Sequence, residues 1–297
     1  MTKAVMVNQS VLEWHSRLKK NARLGQKFSE VGTGIVAGAE AEAKKKSVDL
    51  KTLSPDPDGP YFDLEVYLGL TELGVEMSPD FLILPFTPIG SQKERKFLNI
   101  LNSFNGKIIA VNVPPNQEAI RRLGDRFIGY SGMVEDRAGE MIAEQLLLSR
   151  GMMPTPIFVL EHERIKEHYA LALRFEGIKR IAERYHCKVE SIYVGTENQQ
   201  VFLPTDEKCY IIYLGIRGYE AALTINPDQI LGLAGVDLDE KIYKALFNPD
   251  SKLKCTVIQH PPDQGASAVN MIFEPPAVWG GCGPTPIESC NALVFFK

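Results

Sequence analysis

Residues 230–269 read ILGLAGVDLDEKIYKALFNPDSKLKCTVIQHPPDQGASAV, and the reading of this stretch decides the fold. Two apolar runs, 230–235 and 254–258, have the length and composition of strands buried on both faces. Each is followed by a segment of helical character, 238–247 and 262–273. Strand, helix, strand and helix in that order predict βα units and a parallel sheet.

The alternation continues outward. Strands are expected at 4–8, 48–53, 81–86, 107–112, 126–130, 156–160, 188–194 and 209–214. Helices are expected at 31–46, 62–73, 91–104, 116–123, 135–150, 165–186 and 218–223. One parallel sheet of about ten strands is uncommonly wide. The chain is therefore read as α/β, with two Rossmann-like βα lobes built on parallel sheets.

Composition narrows the function. The 297 residues carry a net charge of −4, with 44% hydrophobic and 24% charged residues, as an ordinary globular protein does. An acidic balance disfavours a nucleic-acid partner, because phosphate binding needs a positive field. No apolar run is long enough to span a bilayer. Residues 1–12 (MTKAVMVNQSVL) lack the unbroken apolar core of a signal peptide, which leaves open a cytoplasmic protein or a mature secreted one. Five cysteines stand at 187, 209, 255, 282 and 290 without a CxxC pair, so no zinc site is expected. Cys282 and Cys290 flank a Gly/Pro loop and could pair in an oxidising compartment, or stay as thiols.

Catalytic signatures are missing. There is no GxSxG, no GxxxxGK[ST] and no HExxH. Gly32-Thr33-Gly34 is not completed to GxGxxG, since Ala37 takes the last place. The histidines do not cluster, and only the acidic, His-bearing stretch 161–168 would serve an enzyme reading. The expectation is no catalytic residue, no metal and no cofactor. In open parallel sheets, ligands bind beyond the carboxyl ends of the strands. Those ends carry Thr87, Asn112, Tyr130, Ser131, Arg217, Asp237 and Gln259, a mixture of hydrogen-bonding and aromatic groups suited to a polar small molecule. Asp237 has a competing reading as the N-cap of the helix that follows it.

The order of four stretches resembles the type I periplasmic binding proteins, the ribose/galactose-binding group that shares its fold with LacI-type effector domains. They are IVAGAEAEAKKKSVDLKTL at 35–53; IIAVNVP, FIGYS and EDRAGEMIAEQL within 107–146; RFEGIKRIA at 174–182; and LGLAGVDLDEKIYKAL with CTVIQHPPDQGASAV within 230–269. The resemblance implies two hinged lobes, 1–130 plus 260–286 and 131–259 plus 287–297. Crossings are implied near Tyr130–Ser131, near Gln259 and near residues 263–265. It implies a small polar, sugar-like ligand in an interlobe cleft, for ABC transport or sensing. Asp237 matches an acid that accepts from sugar hydroxyls, and Gln259 and Asn112 match polar ligand positions. Trp14, in the long segment after the first strand, is the candidate for stacking on the ligand, or else packs an N-terminal helix. The implied partner is a membrane permease or a sensor kinase, the protein a periplasmic monomer. An intracellular or kinase-linked sensing domain without a transport role is the alternative. The chain departs from the pattern at Asn112-Val113, Ala172 and Gly215-Ile216, where the family places charged or amide groups.

Overall fold

The computed structural model describes residues 1–8, 22–53, 64–86, 91–148, 154–161, 169–194, 200–275, 287–288 and 293–296. They fall into two compact units, Met1–Met133 with His260–Asn291, and Val134–Gln259 with Ala292–Lys297.

The first unit contains β1 (Lys3–Val7), α1 (Ala22–Lys46), β2 (Asp49–Leu53), α2 (Leu64–Glu76), β3 (Phe81–Leu84), α3 (Ser91–Ser103), β4 (Lys107–Val111), α4 (Gln117–Leu123) and β5 (Phe127–Gly132). Later in the chain, α9 (Pro261–Asn270) and β11 (Ile287–Glu288) complete it. The sheet order is β11-β5-β4-β3-β1-β2, and every pair is parallel. Both faces are covered, so the strands alternate between two apolar cores rather than between core and water. Val5 and Val7 face a core of large groups, among them Tyr67, Phe86, Phe97 and Phe104. Ala4 and Met6 face a core whose buried members are aliphatic, with Ala39, Ala43 and Ala268 among Ile35, Ile83 and Ile109. Small residues let α1 and α9 approach closely. A Cβ at Gly38 would overlap the Pro262 carbonyl oxygen, and one at Gly265 would overlap the Ile35 carbonyl oxygen.

The second unit contains α5 (Glu135–Leu148), β6 (Ile157–Glu161), α6 (Tyr169–Arg184), β7 (Val189–Tyr193), β8 (Cys209–Tyr213), α7 (Ile216–Ala222), β9 (Ile230–Val236), α8 (Glu240–Phe247), β10 (Leu253–Ile258) and β12 (Leu293–Phe296). Its sheet order, β12-β10-β9-β8-β6-β7, repeats that of the first unit, with β12 antiparallel at the edge. Helices α5 and α6 cross at Gly139 and Gly177, where a Cβ would meet the carbonyl oxygens of Arg174 and Asp136.

Several boundaries differ from expectation. Helix α1 begins at Ala22, about two turns before residue 31. The added residues ARLGQKFSE contain no proline and several good helix formers. The first passage between units follows Met133 rather than Tyr130, because β5 runs on to Gly132. Residues 263–265 are not a crossing. Pro261 and Pro262 open helix α9, proline being suited to the first turn of a helix, and carry these residues inside it. The third passage lies between Asn291 and Ala292. Residues 287–288 join the first unit, not the second, since Ile287 and Glu288 pair with Ser131 and Gly132.

Candidate functional site

Backbone conformation singles out two strand ends. Five described non-glycine residues have left-handed φ angles: Ser47, Ser78, His186, Asn112 and Asp237. The first three stand within two residues of the ends of α1, α2 and α6, where such residues terminate helices. Asn112 (φ 62°) and Asp237 (φ 80°) stand instead just past β4 and β9, strands that hold the same place in the two sheet orders.

Their surroundings correspond. Asn112 donates its N–H to the Ser131 carbonyl at 2.9 Å, and its carbonyl accepts from the Tyr130 hydroxyl at 2.9 Å. Asp237 donates its N–H to the Val257 carbonyl at 2.9 Å, and its carbonyl accepts from the Thr256 hydroxyl at 2.7 Å. Behind Thr256, the Tyr213 hydroxyl donates to it at 3.2 Å. Burial pushes the Tyr213 hydroxyl well above its ordinary pKa, so it stays a donor. Glycines make room for both tyrosines: a Cβ at Gly132 would strike the Tyr130 ring, and one at Gly235 the Tyr213 ring.

The Asp237 side chain accepts from Gln259 Nε2 at 3.3 Å, which brings two expected ligand residues together in the second unit. Both are half-buried. The N-cap role goes to Asp239, whose carboxylate accepts from the Ile242 N–H at 2.7 Å. Asp237 is thus not the helix cap. Arg217 is half-buried at the start of α7, after Gly215 (φ 147°). In the first unit, Tyr130 and Ser131 are buried, and their hydroxyls are turned to backbone oxygens. That of Ser131 donates to the Gln264 carbonyl at 2.7 Å. Both hydroxyls thus hold the chain at the end of β5. Trp14 and Thr87, Cys282 and Cys290, and residues 162–168 lie outside the described residues.

A buried ion pair, absent from the sequence reading, lies close to Asp237. Arg174 Nε and Glu135 Oε2 are 2.5 Å apart, with side chains 8% and 2% exposed. Burial pushes the Glu135 carboxyl above its ordinary range against the pull of Arg174, and the Asp237 charge pushes the same way. The sequence did hold a signal: both residues sit on the helix faces that also carry Gly139 and Gly177. Cys209 and Cys255 are buried thiols, pushed by desolvation to about 11 and about 12. Among the described residues, no cluster of His, Cys, Asp or Glu could hold a metal ion, and no helix is long and apolar enough to cross a membrane.

Two lobes of identical strand order, with helices on both faces of each parallel sheet, define the type I periplasmic-binding-protein fold. Solved structures with this fold match nearly the whole chain. A periplasmic sugar-binding protein of an ABC sugar transporter from Legionella pneumophila matches with TM-score 0.66 and 16% identity, over 98% of this chain and 100% of that one. GanP, a glucose-galactose binding protein from Geobacillus stearothermophilus, matches with TM-score 0.67 and 16% identity, over 99% and 97%. An ABC transporter periplasmic solute-binding protein from Actinobacillus succinogenes, with bound D-allose, matches with TM-score 0.66 and 16% identity, over 100% and 98%. No family model and no curated protein matches the sequence.

Proposed function

We propose that this chain is a solute-binding receptor that captures a small polar ligand, sugar-like or polyol-like, and hands it to an ABC permease or reports it to a sensor. The strand ends of each unit supply the binding groups, and ligand favours the conformation for which it has the higher affinity. One observation carries the reading. On a fold used by sugar-binding proteins, both sheets place a side chain of hydrogen-bonding type at the same left-handed strand end, Asn112 in one and Asp237 in the other. Asp237 and Gln259 accept and donate to ligand hydroxyls, Asn112 does both, and Arg217 adds a positive group. The reading assigns no turnover, and it takes the periplasm as the working compartment.

Thermal unfolding against a panel of aldoses, alditols and cyclitols tests it. A ligand at about 100 times its Kd stabilises the folded state by about 2.7 kcal/mol, a clear rise in Tm. D237A should weaken binding at least about tenfold, as removal of a charged hydrogen-bonding group does. If no compound raises Tm and mass spectrometry finds no co-purified small molecule, the proposal fails.

A further inference from the structure

We propose that Thr256, Tyr213 and Tyr130 are positioning residues, whose hydroxyls hold Asp237 and Asn112 in the left-handed conformation that presents a carboxylate in one unit and an amide in the other. The hydrogen-bonded lock is read from each unit by itself; its link to ligand rests on the receptor reading above.

The argument starts from an outlier. A left-handed backbone costs a residue with a Cβ more than it costs glycine, and it persists only where the surroundings impose it. Glycine would fit both strand ends without strain, yet Asn and Asp are found there. Both tolerate this region better than other side chains, so each position keeps a polar side chain at the least cost the backbone allows. A side chain retained where the backbone favours none points to a use for it.

The lock has the same plan twice. In each unit the residue's N–H goes to the carbonyl of one residue on the neighbouring strand, Ser131 or Val257. The hydroxyl comes from the residue just before that one, Tyr130 or Thr256, the Tyr130 hydroxyl also lying 3.3 Å from the Met133 carbonyl. Strands β5 and β10, which carry them, correspond in the two sheet orders. In the second unit the hydroxyl is shorter and a second member stands behind it. A hydroxyl carries one hydrogen. Tyr213 gives its own to Thr256, and the Thr256 hydrogen has the Asp237 carbonyl at 2.7 Å as its nearer acceptor, with the Gly235 carbonyl at 3.2 Å. Buried chains of this kind strengthen one another. All the donors are buried, while the carbonyls they reach belong to half-buried residues.

The test compares T256V, T256S and Y213F with the native chain and has two readouts. The first needs no ligand: the backbone angle of Asp237, from crystal structures or from carbon chemical shifts of Asp-labelled protein. T256V, which keeps the shape and removes the hydroxyl, should let Asp237 leave the left-handed region, and T256S should retain it. The second readout is affinity for whichever of D-allose, D-glucose, D-galactose and allitol raises the native Tm. It should fall about tenfold in T256V and about threefold in Y213F, and return in T256S, magnitudes expected for one hydrogen bond. If T256V does not fold, Y213F supplies both readouts, because it removes the donor behind Thr256. An unchanged Asp237 angle in T256V, or T256S behaving like T256V, overturns the proposal. If none of the four compounds shifts the native Tm, the receptor reading loses support, while the Asp237 angle still decides the lock.

Discussion

The first unit crosses its helices α1 and α9 over Gly38 and Gly265; the second crosses α5 and α6 over Gly139 and Gly177. Each glycine faces a carbonyl oxygen of the opposite helix, in matching positions: Pro262 and Ile35 in one unit, Asp136 and Arg174 in the other. Three residues before Gly38 stands Ile35, and three before Gly177 stands Arg174. Four before Gly265 stands Pro261, and four before Gly139 stands Glu135. The close approach of two backbones is thus common to both units, whereas the side chains that flank it are apolar in one and an ion pair in the other. Crossing needs the glycines and does not need the charges. The charges belong to the second unit alone, beside Asp237.

The largest expected effect lies in the shared part. G265A and G139A each force a methyl group into backbone atoms of another helix. Each should cost on the order of 4 kcal/mol or more, seen as loss of soluble protein or a large drop in Tm. A tolerated substitution in one unit, with collapse in the other, would break the correspondence.

Next comes the part that differs. R174M leaves the buried Glu135 without its partner and should destabilise by about 3–5 kcal/mol in denaturant unfolding. The double variant E135L/R174M imitates the apolar flank of the first unit and should recover most of that loss. If the double variant is as unstable as R174M, the ion pair does more than fill space.

A smaller effect follows from the sign of the Glu135 shift. Its pKa in the folded protein is raised, chiefly by burial. Its contribution is then fully present below the unfolded value, near 4.5, and is lost as pH rises through the folded value. E135Q should flatten that part of the curve of Tm against pH. The smallest effect concerns the thiols. With Cys209 and Cys255 pushed to about 11 and about 12, both should resist alkylation at pH 8 in folded protein and react after unfolding, as peptide mass spectrometry would show.

Much of this architecture was legible in the order of residues. Apolar runs such as KIIAV and CYIIY have one meaning in a chain that alternates with helices, so the parallel sheets and their division into two sets followed from pattern. Asp237 and Gln259 were legible too, as polar residues just past strands. What sequence did not reveal was conformation and exchange of partners across the sheet. Nothing in the letters N-V or V-D announces a left-handed φ, because Asn and Asp also cap helices and occupy turns. That ambiguity gave Asp237 the cap reading, which belongs to Asp239. Thr256 and Tyr213 stand 43 positions apart in the chain, and only the pairing of β8 and β10 with β9 brings their hydroxyls together. Glu135 and Arg174, 39 positions apart, look like surface charges until their helices cross.

Helix α9 follows a strand of the second unit yet fills a face of the first, and α5 follows a strand of the first yet fills a face of the second. A fragment stopping at residue 133 would therefore bare the Ala39 and Ala43 stripe, and would be expected to clump rather than fold. Anyone dividing this protein for expression has to cut by packing and not by position: the first unit needs residues 260–291 supplied, in the same chain or as a separate piece.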